Sequence, residues 1–155
     1  MTARVLTAAL ILSLAVASAS RAEETARVQE LADVVVTEAA VRAHALARAP
    51  AAPAVAPPAG DPLLADLNDL AVQLLTMSRA IETRGGPEDL RCIFRGMGRD
   101  VAVQINALEA APDRAAQSRV YRAIETLARQ AGEIAEDPDA QDVDVSYRTC
   151  DVDGN

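Results

Sequence analysis

Leu63, Leu67, Leu70, Leu74, Met77 and Ile81 recur at steps of 4, 3, 4, 3 and 4 residues. Residues three and four apart share one face of an α-helix, so this alternation is the seam of a helix laid along another helix. A strand is excluded, because its faces alternate every second residue. The segment is punctuated to match. Asp61-Pro62 supplies a side-chain acceptor for the unpaired N–H groups of the first turn, then a proline whose fixed φ suits that turn. Gly85-Gly86 ends the segment, where a left-handed residue closes a helix.

Similar spacing returns twice. Pro87-Glu88-Asp89 opens a helix with two acids that complement its dipole, and Leu90, Phe94, Met97, Val101, Ile105 and Leu108 form its apolar stripe. From around Pro112-Asp113, the residues Val120, Ile124, Leu127, Ala131 and Ile134 repeat the pattern until Asp137-Pro138 stops it. Each helix is expected to run roughly 23 to 25 residues, or about 35 Å. Matched lengths and short connections predict antiparallel neighbours, so the fold class is all-α, with an up-down bundle of three long helices over residues 61–136.

Two segments precede the bundle. Met1 to Arg4 is basic, Val5 to Val16 is almost unbroken apolar sequence, and Ala17-Ser18-Ala19-Ser20-Arg21-Ala22 is small and polar before Glu23-Glu24. That order reads as a secretory signal peptide over residues 1–22, cleaved after Ala22 or after Ala19. The apolar run is well short of the roughly 20 residues that span a bilayer, so no membrane span is expected in the mature chain. Residues 23–48 contain no proline or glycine and predict an N-terminal helix, with Val28, Leu31 and Val35 and, less regularly, Val41 and Ala45 on its stripe. Residues 49–60, with their repeated Ala and Pro, read as an extended, semi-rigid linker. The N-terminal helix either folds back to complete a four-helix bundle or projects from it.

Composition narrows the function. The 155 residues carry 23 acidic side chains, no lysine, and a formal charge of −8; removal of the leader takes Arg4 and Arg21 and leaves −10. Such a surface is a poor match for nucleic acid. The heavy use of Arg and Ala suggests a bacterial, GC-rich source, and with the leader a periplasmic or secreted location. Phe94, Tyr121 and Tyr147 are the only aromatics, too few for a stacking platform, and His44 is the only histidine. A nucleophile–base arrangement would have to use His44 beside a proline-rich tract, so no enzyme activity is expected.

The exported address gives meaning to the two cysteines. Cys92 lies near the start of the third predicted helix and Cys150 follows the end of the fourth, which in an antiparallel bundle lies nearby. An even pair in an oxidising compartment predicts one disulfide, here pinning an acidic tail, residues 137–155, to the bundle. On the chain-entropy model a bond closing so long a loop stabilises by roughly 4 kcal/mol. A redox-active pair is the weaker reading, since Cys-x-x-Cys is absent. Arg91, Arg95 and Arg99 stand four residues apart and sweep one flank of the same helix, adjoining Cys92. Asp142, Asp144, Asp151 and Asp153 are the expected partners of this ladder, and a bound anion or a partner's acidic segment is the rival. Gly96 and Gly98 in that helix predict close backbone approach by another element.

Weaker signals concern cofactors. Asp137, Asp139, Asp142, Asp144, Asp151 and Asp153 are rich in oxygen ligands, yet neither cluster has the order of an EF-hand calcium loop. Cys-x-x-Cys-His is absent, so covalent haem attachment is excluded, and noncovalent haem would have to use His44 with Met77 or Met97. No cofactor is therefore expected, with calcium and noncovalent haem as weak candidates. The expected function is a small exported interaction or accessory module whose partner is another envelope protein or a second copy as a homodimer. A small-ligand, calcium or haem carrier is the alternative.

Overall fold

Four helices, α1 (Ala3–Leu46), α2 (Pro62–Thr83), α3 (Glu88–Ala110) and α4 (Arg114–Glu136), make up the bundle. The computed structural model describes residues 3–136, with side chains from Ala22 onward. No strand occurs among the described residues, apart from an isolated antiparallel bridge between Pro53 and Asp113.

The direction of each helix follows from contacts near its ends. Arg42 meets Asp61 and Glu24 meets Arg84, so α1 and α2 run antiparallel. Ser78 Oγ donates to the Arg91 carbonyl at 2.9 Å, which sets α3 antiparallel to α2. Ser118 Oγ donates to the Ala43 carbonyl at 2.9 Å and Gly132 packs on Ala32, which sets α4 antiparallel to α1. The result is an up-down-up-down four-helix bundle whose most extensive contacts join α1 to α4 and α2 to α3. The N-terminal helix thus docks rather than projects.

The predicted seams are the core. Leu63, Leu67, Leu70 and Leu74 of α2 are fully buried, as are Phe94, Met97 and Val101 of α3 and Ile124 of α4. A leucine so placed contributes about 1.5–3 kcal/mol relative to exposure. On α4 the buried Tyr121 displaces the expected Val120, which is only partly covered.

Helix α1 departs from expectation in two ways. It is continuous through the apolar leader, because no glycine or proline interrupts residues 3–46 and the alanine-rich composition favours helix. Its buried stripe is Val28, Leu31, Ala32, Val35, Ala39 and Ala43, whereas Val41 is 60 % exposed and Ala45 is exposed. Small residues meet where α1 and α4 touch: Ser118 Oγ reaches the Ala43 carbonyl, and a Cβ at Gly132 would stand 3.3 Å from Ala32 Cβ.

The loops are well fixed. Asp113 Oδ1 accepts from the Ala116 N–H at 2.7 Å and caps α4. At the end of α2, Gly85 takes φ +66°, its N–H donates to Glu82, and the Gly86 N–H donates to Ile81 at 2.9 Å, the paired bonds of a Schellman closure. The Ala/Pro linker is not a free spacer. Its carbonyls at Pro50 and Ala52 accept the Ala115 and Arg114 N–H groups, at 3.1 and 3.0 Å. The buried Gln117 side chain accepts from Val55 N and donates to Val55 O, at 2.9 and 2.7 Å. Proline forbids helix here, but it leaves carbonyls free to satisfy the unpaired N–H groups that begin α4.

Candidate interaction surfaces

The arginine ladder on α3 divides. Arg91 donates to Glu82 at 2.9 Å and to Glu88 at 3.2 Å, bracing the α2–α3 turn rather than offering a free cation. Its Nε is buried and has no acceptor among the described residues. Arg95 is half-buried and Arg99 exposed, and neither forms an ion pair among the described residues. Cys92 is half-buried on the same helix, one turn from Arg95. Cys150 lies outside the described residues, as do Asp137, Asp139, Asp142, Asp144, Asp151 and Asp153. Gly98 does mark a close approach, to α2: a Cβ there would meet Leu75 Cγ at 3.0 Å and the Ala71 carbonyl at 3.2 Å.

A second feature was not evident from spacing. Between α1 and the start of α2 runs an open groove of about 560 Å³, lined by Asp33, Val34 and Glu38 on one side and Pro62, Leu63 and Asp66 on the other. Val34 is 47 % exposed there, and Val41 continues the outer face one heptad further along α1. At its edge Arg42 holds Asp61 through both guanidinium nitrogens, donates Nε to Glu38 at 3.1 Å, and stacks 5.9 Å from the centre of the Tyr121 ring. The hydrogen bonds from Arg42 hold the Asp61 carboxyl below its ordinary range despite its burial, and the same pair raises Arg42 further above its already high value. Arg42 is thus neutralised within the fold, and the carboxylates of Asp33, Glu38 and Asp66 leave the groove acidic. Asp61 was recognisable as a helix cap, but nothing in the pattern ties it to an arginine 19 residues away.

Among the described residues the buried polar side chains all serve the framework. Asp61 caps α2 and pairs with Arg42, Ser78 ties α2 to α3, Gln117 ties the linker to α4, and Ser118 ties α4 to α1. None of these bonds converges on the groove's open side.

The remaining candidates are dispersed. His44 is exposed in the last turn of α1, at the Asp61 end of the bundle. Met77 is packed into the core about 24 Å away along α2, and Met97 is fully buried. The structure does not bring His44 together with either methionine. Among the described residues no three His, Cys, Asp or Glu side chains are grouped to hold a metal ion. No helix among them is long and apolar enough to cross a membrane. Compared with protein-family models, curated proteins and solved structures, the chain matches none.

Proposed function

We propose that this chain is a small exported helical-bundle protein that acts through contact with another envelope protein and performs no catalysis. The observation that carries this reading is the use of its buried polar groups. Asp61, Ser78, Gln117 and Ser118 are all spent on joining helices and linker. A catalytic site instead gathers such groups around a space where substrate can sit.

The contact surface in this reading is the outer side of α1 with the start of α2. Val34 and Val41 supply apolar area and Asp33, Glu38 and Asp66 supply charge. Its complement is a basic segment carrying apolar side chains. A second copy is a less favoured occupant, because two chains of net charge −10 repel.

Export rests on the leader pattern. Among the residues of α1 whose side chains are described, the first tertiary ion pair is Glu24–Arg84 and the first buried residue is Val28, both beyond residue 22. Cleavage after Ala22 would also place Glu23 and Glu24 in the new first turn, where acids complement the dipole. In the oxidising compartment Cys92 and Cys150 form the disulfide that holds the acidic tail. Cell fractionation with N-terminal sequencing tests export: a periplasmic chain beginning at Glu23 supports it, and a cytoplasmic chain beginning at Met1 contradicts it. Capture of one defined envelope protein, lost on Asp33→Arg/Asp66→Arg substitution, tests the contact. Capture unaffected by those substitutions would assign it elsewhere.

A further inference from the structure

We infer that the outer edge of the docked linker, Val55, Ala56 and Pro58, is a preformed polyproline-type ligand that an aromatic-lined groove of a partner protein takes up. This contact is separate from the α1–α2 groove proposed above, and each stands without the other.

The linker is longer than its connection requires. Arg42, about one turn before the end of α1, pairs with Asp61 at the cap of α2, so the two helix ends are neighbours. Roughly two to eight residues commonly join such helices. Here residues 47–60 detour past the start of α4 instead. The Pro50 and Ala52 carbonyls satisfy α4 N–H groups there. The stretch from Val55 to Ala59 caps no helix among the described residues, yet it too is held. The buried Gln117 side chain bonds both the N–H and the carbonyl of Val55.

Its conformation follows from its composition. From Ala49 to Gly60 every residue is Ala, Pro, Val or Gly, so no side chain carries a charge or a hydrogen-bonding group. Proline fixes its own φ and drives the residue before it into extended backbone, which constrains Ala56, Pro57 and Pro58. Burial shows a three-residue repeat. Ala54 and Pro57 are half-buried, and the pairs that follow them, Val55–Ala56 and Pro58–Ala59, are exposed. Three residues per turn is the period of polyproline II, whereas a strand alternates every two.

Such an edge selects its complement. It offers an exposed valine and proline and, at Ala56 and Pro57, carbonyls that accept no main-chain bond among the described residues. Flat aromatic rings pack on prolines, and tyrosine or tryptophan adds an O–H or N–H donor for a carbonyl. A second copy presents no such groove among the described residues, where Phe94 and Tyr121 are both buried. Because Gln117 holds Val55 before contact, the partner does not have to order the segment itself.

The test uses the full-length protein in living cells with a photoreactive amino acid at Ala56, and mass spectrometry to map the adduct. One adduct is expected, joined to the partner within a peptide containing tryptophan or tyrosine. Its yield should fall about tenfold in Pro57→Ala/Pro58→Ala, which loosens the backbone. A similar fall is expected in Val55→Asp, which puts a carboxylate on the edge and keeps the main-chain bonds to Gln117. Helical circular dichroism should stay unchanged in both variants. A photoreactive residue at Val34 reports the α1–α2 groove separately. No adduct from position 56, an adduct at twice the chain mass, or one indifferent to both substitutions overturns the inference, whatever position 34 shows. The expected adduct from 56 with none from 34 supports it and counts against the groove instead.

Discussion

Arg42 and Asp61 form a two-pronged ion pair, Nη1 to Oδ2 and Nη2 to Oδ1, while the same carboxylate accepts the Leu63 N–H at 3.0 Å and caps α2. One pair therefore joins α1 to α2 and starts α2. Its two members are unequally placed, with side chains 23 % and 1 % exposed. Arg42→Ala leaves a buried carboxylate short of its main partner and should cost about 2–4 kcal/mol. Asp61→Asn keeps a capping side chain and releases an arginine that can reach water, so about 1–2 kcal/mol is expected. Urea denaturation of both variants measures the difference, and equal losses would contradict the asymmetry.

The same pair predicts a response to acid. Asp61 titrates below its ordinary value when folded and near about 3.9 when unfolded. Between those values the unfolded chain binds more protons, so stability rises with pH there. The contribution is complete above about pH 5 and is lost as pH falls through the folded value, below about 4. The stability gap between wild type and Asp61→Asn should therefore be constant from neutral pH down to about 5 and narrow below about 4. A gap that widens in acid would contradict the pairing.

Gly98 and Gly85 are predicted to resist substitution for different reasons. At Gly98 a methyl group would press on the Ala71 carbonyl, which is backbone and cannot rotate away. Its improved helix propensity, about 1 kcal/mol, is outweighed, and Gly98→Ala should destabilise by about 1–2 kcal/mol net. At Gly85 there is open space but φ is +66°, so Gly85→Ala should cost about 1–2 kcal/mol through backbone strain alone. Thermal melts of both variants check this; a stabilised Gly98→Ala would mean that α2 and α3 are not so closely packed.

The linker strap depends on Gln117. Gln117→Ala removes both bonds to Val55 and should raise the rate of elastase cleavage within residues 51–59 about tenfold, corresponding to one or two net hydrogen bonds. An unchanged cleavage rate would mean that the main-chain bonds at Pro50 and Ala52 hold the linker alone.

These residues also show how far the sequence could be read. The α2 seam and the α3 stripe are built from large side chains at regular spacing, and Leu63 to Ile81 and Phe94 to Val101 are buried as the pattern requires. Helix α1 packs through Ala32, Ala39 and Ala43, and alanine looks the same in hydropathy whether buried, like Ala39, or exposed, like Ala45. The helix and the first half of its face, Val28, Leu31 and Val35, were legible; the second half, Ala39 and Ala43, was not. Repeated prolines announced a non-helical linker, but its docking relies on main-chain carbonyls, which every sequence possesses. Arg91 was legible as one rung of a ladder, yet its bonds to Glu82 and Glu88 depend on the turn between α2 and α3. The acidic groove needs two helices side by side before it exists at all.

Position-specific photo-cross-linking in living cells tests the proposed contact most directly. A photoreactive amino acid at Val34, Val41 or Val103 samples the α1 outer face twice and exposed α3 once. Discrete adducts of one reproducible mass are predicted from positions 34 and 41 and not from 103, with loss of those adducts when Asp66 is changed to Arg. An adduct at twice the chain mass would assign the face to a second copy. No adduct at 34 and 41, or the same adducts from all three positions, would contradict a contact surface on α1.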